Sequence, residues 1–358
     1  MKWSRARNGG WAVAGVALLL AAPAAAQTDG GVRIDSEAAE ISIGGRVQTQ
    51  FNTTTVEDEP ESELIVRRAR LGLEVRFDER VEGELEVDFA GDRASLKNAY
   101  LQLGLSPAIG FRAGKFRRPF SLLEMTSSTR TPVIERGADI RGVTAWDEYE
   151  LINALAYSDR DVGLQIMGAP DGAPLGLTYA AGVFRGPAHA VGNDATYQYV
   201  ARATVTPAEE VRIGAAVSDR AFARERPGSE DLLDVRRGRA VEVDLEYGSF
   251  APGVHLMAEV TAGDFDPFAG EEFFGAQAWL AYRTPPLGPL EGLEPAVRVS
   301  HGTVDRAAGA EPLGGTLLTP GLNVYLGGRN RVMLNYDFWL ARDAADRGSF
   351  KAMFQLAF

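Results

Sequence analysis

From Glu63 to Phe89 the chain reads ELIVRRARLGLEVRFDERVEGELEVDF, with apolar and charged residues alternating almost without interruption. Successive side chains of an extended strand point to opposite faces, so this pattern specifies strands with one oily face and one charged face. A soluble sandwich meets that demand with a buried core, and a membrane barrel meets it with lipid outside and a watery lumen inside. The local pattern fits both, and the rest of the chain must decide.

Period-two segments recur about sixteen times, at approximately 40–54, 63–78, 80–90, 95–105, 109–116, 161–168, 175–185, 196–206, 210–220, 236–248, 252–264, 271–284, 293–304, 313–326, 329–342 and 349–358. Their apolar faces include Ile41, Ile43, Val47 and Phe51 in the first and Ile65, Leu71, Leu73, Val75 and Phe77 in the second. The connections alternate in length. Tight ones fall at DER, SPA, PDGAP, TPAE, GSFAPG and GGRN, whereas VEDEPES, GPAHAVGND, FARERPGSEDLLD, DRAAGAEP and DAADRG are charged, glycine-rich loops. Short turns on one side and long loops on the other are the habit of outer-membrane barrels, and a Greek-key sandwich has no reason to sort its connections this way.

The two ends agree. Residues 1–26 hold a basic start (Lys2, Arg5, Arg7), an apolar run from Trp11 to Leu20 and a small-residue end at Ala24–Ala26, the pattern of a secretory signal peptide cleaved before Gln27. Beyond it no apolar run approaches the ~18 residues of a spanning helix, so a membrane-spanning version of this chain must be a closed barrel. The chain finishes SFKAMFQLAF, with Phe350, Ala352, Phe354, Leu356 and Phe358 on one face. A terminal amphipathic strand ending on Phe358 resembles the signal by which bacterial outer-membrane barrels engage their assembly machinery.

With no cysteine, neither a disulfide framework nor a thiolate metal site is available. The formal charge of -12 becomes -15 once Lys2, Arg5 and Arg7 leave with the signal, which argues against a nucleic-acid partner. The fold expected is therefore an all-β transmembrane antiparallel β-barrel of about sixteen strands over 27–358, embedded in outer-membrane lipid. In it Arg68, Arg70, Glu74 and Arg76 face the lumen, with Glu82, Glu84, Glu86 and Asp88 beside them on the next strand and Glu242, Asp244 and Glu246 further round. Opposite charges on neighbouring strands set up a transverse field, the mark of a channel too wide for side chains to fill.

One connection is out of scale: more than forty residues from Arg117 to about Arg160 follow the fifth strand. Loops of that length in compact folds are usually functional, and this one is expected to fold inward as the third loop and set the narrowest point. Its arginines are Arg117, Arg118, Arg130, Arg136 and Arg141, against acids such as Glu124, Glu135 and Asp139.

The segments GGRVQ (44–48), VRRARLGL (66–73), EVDFAG, LKNAYLQL (96–103), RAGKFRRPFSLLEMTSS (112–128) and IERG (134–137) together resemble the phosphate-selective porins O and P. The likeness is dense over roughly the first 110 mature residues; beyond them it rests on strand rhythm. It implies a sixteen-stranded, usually trimeric, channel of the bacterial outer membrane, whose third loop narrows the pore and whose basic residues conduct anions. Carried over by position, the family's arginine after GG falls on Arg46, its paired arginines on Arg67 and Arg68, and its constriction-loop arginine on Arg136. The lysine that phosphate-binding members carry in the TSS segment is absent, leaving Arg130 as a shifted substitute. Arg46, Arg67, Arg68, Arg70, Arg130 and Arg136 are thus the candidate pore and anion-binding residues, for inorganic anions such as phosphate or polyphosphate. Arginine suits phosphate because its planar fork donates paired hydrogen bonds and keeps its charge. Strict alternation places Arg67 on the lipid side unless the strand is near its mouth there or bulged. The interleaved acids leave open a general or cation-preferring porin of the same fold.

Enzymatic readings find little support. The histidines are His189, His255 and His301; Ser300 and His301 are adjacent and so point to opposite faces, which leaves His301 a lumen or rim residue and not a general base. No histidine or carboxylate cluster has metal-ligand spacing, and no glycine loop of the nucleotide-binding kind occurs. No cofactor is expected.

Overall fold

The computed structural model describes residues 31–36, 39–56, 59–186, 196–225, 233–307, 310–311, 313–342 and 347–358. The signal-like segment 1–26 and much of the loops GPAHAVGND and FARERPGSEDLLD, including His189, lie outside the described residues.

Alternation produces the strands it specifies: β1 (Val32–Asp35), β2 (Glu40–Val56), β3 (Glu59–Arg76), β4 (Val81–Asp88), β5 (Ser95–Ser106), β6 (Ile109–Arg117), β7 (Arg160–Gly168), β8 (Thr178–Phe184), β9 (Gln198–Ala208), β10 (Val211–Glu225), β11 (Leu233–Gly248), β12 (Gly253–Asp266), β13 (Glu271–Arg283), β14 (Gly292–Asp305), β15 (Leu313–Gly327), β16 (Asn330–Ala341) and β17 (Arg347–Ala357). From β2 to β17 each strand pairs antiparallel with the next, and β17 returns to β2, so sixteen strands close into a barrel. Closure removes the open edges that a sheet of this size would otherwise present. At the seam the C-terminal residue pairs by backbone: Gly45 N donates to Phe358 O at 2.8 Å and Phe358 N to Gly45 O at 3.1 Å.

The short β1 was not foreseen. It pairs with Glu40–Ile43 of β2, the stretch that β17 leaves uncovered because its own pairing stops at Arg46. The loop expected at VEDEPES is mostly strand, since β2 runs to Val56 and β3 begins at Glu59.

The outer face is apolar, with Leu71, Leu85, Leu101, Leu164, Val243 and Phe354 all exposed. The inner face is polar, and Gln48, Arg112, Glu242, Arg298, Arg331 and Lys351 are buried there. Ile65 departs from the expected outer set. Gln48 pairs with Arg68 and Thr49 with Val66, so Arg67 is an extra residue, and beyond this bulge the outer face passes to Leu64 and Val66. His301 does not line the lumen, the first of its two expected places. It shares the outer face of β14 with Val299 and its Nδ1 lies 2.9 Å from Thr316 Oγ1, while Ser300 points inward.

Between β6 and β7, residues 118–159 carry two short helices, α1 (Leu122–Met125) and α2 (Glu148–Ala154), capped by the side chains of Ser121 and Asp147. Phe120, Leu151, Ile152 and Tyr157 of this segment pack with Phe116, Phe184 and Phe273 of the strands in the largest buried apolar cluster. Among the described residues no helix is long and apolar enough to cross a membrane.

Candidate functional site

The bulge at Arg67 decides the geometry of the candidate site. An extra residue turns two consecutive side chains towards one partner, and both Arg67 and Arg68 reach Glu135 of the 118–159 segment. Arg67 Nε donates to Glu135 Oε1 at 2.7 Å and its Nη2 to Oε2 at 3.2 Å, a forked pair; Arg68 Nη2 donates to the same Oε2 at 2.9 Å. Burial would raise the Glu135 carboxyl, but Arg68 and Arg67 outweigh it and hold it at about 2.

The neighbouring positions extend the cluster. Arg46 Nη2 donates to Glu86 Oε2 at 3.0 Å, and Arg70 Nε to Asp88 Oδ2 at 2.7 Å. Glu86 and Asp88 thus face arginines as the alternation predicts, whereas Glu84 lies opposite Glu74 and accepts from Asn98 at 2.7 Å. On the loop, Glu124 is the second focus. Arg117 Nε lies 3.2 Å from it, Arg136 Nε 3.8 Å and Arg160 Nη1 3.9 Å, and the Tyr149 hydroxyl donates to it at 2.7 Å. Burial opposes its ionisation, yet Arg136, Arg117 and Arg160 together hold it at about 2. Seven arginines (46, 67, 68, 70, 117, 136 and 160) and five carboxylates (86, 88, 124, 135 and 159) therefore form one cluster of ion pairs, with two more positive than negative groups.

Five of the six candidates meet here. Arg130 does not: its guanidinium lies 5.5 Å from the ring centroid of Phe250, in the turn between β11 and β12. Arg136 is buried and partly consumed by structure, donating to Leu123 O at 2.8 Å and Thr126 O at 2.5 Å. Arg118 donates to Gln198 at 2.8 Å and Arg141 lies 3.1 Å from Glu61, both away from the cluster. Arg160 was missed. It opens β7 at a position that shares its parity with the outward Val162, Leu164 and Ile166, yet at the strand end its side chain turns inward to Asn98, Glu86 and Glu124, which counting by two would not have given.

A cavity of about 340 Å³ adjoins the pair, lined by Arg67, Arg68 and Arg136 on one side and Tyr149, Glu150 and Asn153 of α2 on the other. Across the barrel the sign reverses. Glu242, Asp244, Glu246 and Glu259 are buried on β11 and β12; Arg202 pairs with Glu242 and Asp244, Arg212 with Glu246, and Glu259 accepts from Ser121 Oγ at 2.8 Å and Leu123 N at 3.1 Å. The segment is tethered to the wall on further sides. Arg298 donates to Glu135 O at 2.7 Å and Gly137 O at 3.1 Å, Gln277 to Arg136 O at 3.0 Å, Asn323 to Pro132 O at 2.9 Å and Arg331 to Thr131 O at 2.8 Å. Among the described residues no cluster of histidine, aspartate and glutamate has the arrangement of a metal site.

The fold is shared with solved outer-membrane proteins. In vitro folded OmpT of Vibrio cholerae, in its trimer form, superposes with a TM-score of 0.62 at 13% identity, over 90% of this chain and 100% of that one. The outer-membrane channel DcaP of Acinetobacter baumannii gives 0.62 at 14%, over 91% and 99%. An anion-selective porin from Comamonas acidovorans gives 0.61 at 13%, over 89% and 100%. No curated protein is matched by sequence. The profile described as phosphate-selective porin O and P matches residues 41–230, more than half of the chain, and with the closed sixteen-stranded barrel it establishes that this protein belongs to that family of outer-membrane porins.

Proposed function

We propose that the protein is a passive diffusion channel for small anions, phosphate among them, through a lumen that residues 118–159 enter and narrow. The observation that carries this reading is the Arg67–Arg68 pair, brought by the bulge to one loop carboxylate beside a cavity that Arg136 also lines. The net positive charge of this cluster of ion pairs, beside a confined passage with low-dielectric walls, raises the local concentration of anions. The wall-to-loop hydrogen bonds from β13, β14, β15 and β16 support a loop held within the barrel. Export by the segment 1–26, assembly through Phe358 and a homotrimeric state complete the proposal; the trimer form of the OmpT fold relative supports the last.

The acidic residues of β11 and β12 favour a second reading, a general or cation-preferring porin, if ions pass on that side. The zero-current potential of the refolded protein in a planar bilayer under a salt gradient separates the two. An anion-selective potential, with phosphate reducing chloride current, supports the first; cation selectivity indifferent to phosphate discards it and leaves the second.

The same measurement taken against pH tests the cavity. Burial, then Asp147 and Asp139, push the Glu150 carboxyl up to about 8. Glu150 is thus largely neutral at pH 7 and gains its charge as the pH rises through that value. Because it faces Arg67 and Arg68 across the cavity, anion preference is expected to fall between about pH 7 and 9 and to stay flat in Glu150→Gln. Identical profiles for the two proteins would remove Glu150 from the ion path.

A further inference from the structure

The inner wall carries a row of three glycines in register. Gly275 of β13 pairs with Gly302 of β14, and Gly302 with Gly315 of β15. At Gly275 and Gly302 the place is occupied from inside the barrel by the 118–159 segment. A Cβ on Gly302 would stand 2.1 Å from the carbonyl oxygen of Trp146 and 2.9 Å from the carbonyl carbon of Asp147. On Gly275 it would stand 2.8 Å from Cγ and 3.0 Å from Cα of Glu148. On Gly315 it would stand 2.6 Å both from the Leu340 carbonyl oxygen of the neighbouring strand and from the Trp339 ring, which packs in turn with Ala138, Ile140 and Ala145 of the loop.

The backbone of 146–148 therefore lies flush in a trough that only glycine leaves open. Two hydrogen bonds fix it there: Glu148 N donates to Ser300 Oγ at 3.2 Å, and Thr261 Oγ1 donates to Glu148 Oε1 at 3.1 Å. Helix α2 begins at this point, and its residues divide by helical spacing. Glu148, Leu151 and Ile152 are buried towards the wall, while Tyr149, Glu150 and Asn153 line the cavity opposite Arg67 and Arg68. The depth of the trough thus fixes how far α2 stands from the arginine pair.

We propose that Gly275 and Gly302 are positioning residues that set the width of the ion passage by holding the start of α2 against the wall. The proposal rests on the reading that the loop narrows the channel. A methyl group at Gly302 meets backbone atoms with no rotamer to change, so the chain at 146–147 must move inward, towards Arg67 and Arg68. At Gly275 it meets chiefly the Glu148 side chain, which can turn aside in part.

The test compares single-channel conductance, and the permeability of gluconate relative to chloride, in the full-length protein and in Gly302→Ala, Gly275→Ala and Gly72→Ala. Gly72 is the control, because a Cβ there comes no nearer than 3.7 Å to its closest atom, Gly44 O. Gly302→Ala is expected to lower conductance about twofold and gluconate permeability by more, Gly275→Ala to do so less, and Gly72→Ala to match the parent. Unchanged or raised conductance in Gly302→Ala overturns the proposal; if that variant does not fold, unchanged conductance in Gly275→Ala does so. A channel with residues 119–157 replaced by a short linker keeps the two questions apart. If it conducts no better than the parent, the narrowing reading fails; if it conducts better while the glycine variants match the parent, only the trough fails.

Discussion

Replacing Arg67 and Arg68 together by glutamine is expected to lower the anion-over-cation permeability ratio roughly tenfold, the effect of about 1.4 kcal/mol at an effective dielectric intermediate between protein and water. Two positive charges leave the wall of the cavity, and Glu135 stays behind without the arginines that hold its carboxyl at about 2. The remaining carboxylate then repels the ions that the pair attracted. Arg67→Gln alone is expected to do less, because Arg68 still donates to Glu135 Oε2 and also bonds Gln48 Oε1 at 3.0 Å. The zero-current potential under a salt gradient reads the ratio directly. A double variant with the parent's potential would mean that ions do not pass this pair, and anion conduction would have to be sought elsewhere in the barrel.

What the alternation could and could not foretell follows from the range of the forces involved. Strand parity is a local property, so fifteen of the sixteen barrel strands agree with the sequence spans to within three residues at their starts, and the inner placement of Glu86, Asp88, Glu242, Asp244 and Glu246 follows from counting by two. The exception, β3, begins earlier because its hairpin with β2 extends through residues expected to form a loop. The bulge is not local. It is expressed in the pairing of β3 with β2, and it reverses the facing of Ile65 while bringing Arg67 inward. The paired arginines were legible from the family's motif, but their shared partner Glu135 lies 67 and 68 residues away and belongs to a segment without alternation. Arg130 shows the limit of carrying a motif forward by position, for a shift within the TSS segment sends its side chain to Phe250. The glycine row was invisible for a related reason: each glycine is unremarkable in its own strand, and only the register of three strands makes them one feature.

Arg298 is the clearest residue that the sequence reading passed over, although its place between outward Val297 and Val299 in β14 already turns it inward. It is 1% exposed, and its guanidinium divides its bonds between wall and loop: Nη2 to Asp337 Oδ1 at 2.9 Å and to Thr319 Oγ1 at 2.6 Å, Nη1 to the carbonyl oxygens of Glu135 and Gly137. Arg298→Met keeps much of the volume and removes every donor. Asp337 retains Lys351 at 2.5 Å, so one charge partner survives, but two loop carbonyls next to the arginine site lose theirs. Truncating one partner of a buried ion pair costs on the order of 3–5 kcal/mol, and the surviving lysine places this case at the lower end. The variant is therefore expected to denature at a lower temperature. Its open-channel current should also be noisier, because the stretch that holds Glu135 against Arg67 and Arg68 loses its anchor. Arg298→Lys should restore part of the thermal stability through Asp337 and leave the noise, since an ammonium has no planar fork with which to serve wall and loop together. Parent-like noise in both variants would show that the remaining bonds from Gln277, Asn323 and Arg331 hold the loop without it. Four residues along the same strand, Gly302 gives the loop its seat. One strand then governs both the distance of α2 from the arginine pair and the steadiness of the carboxylate between them.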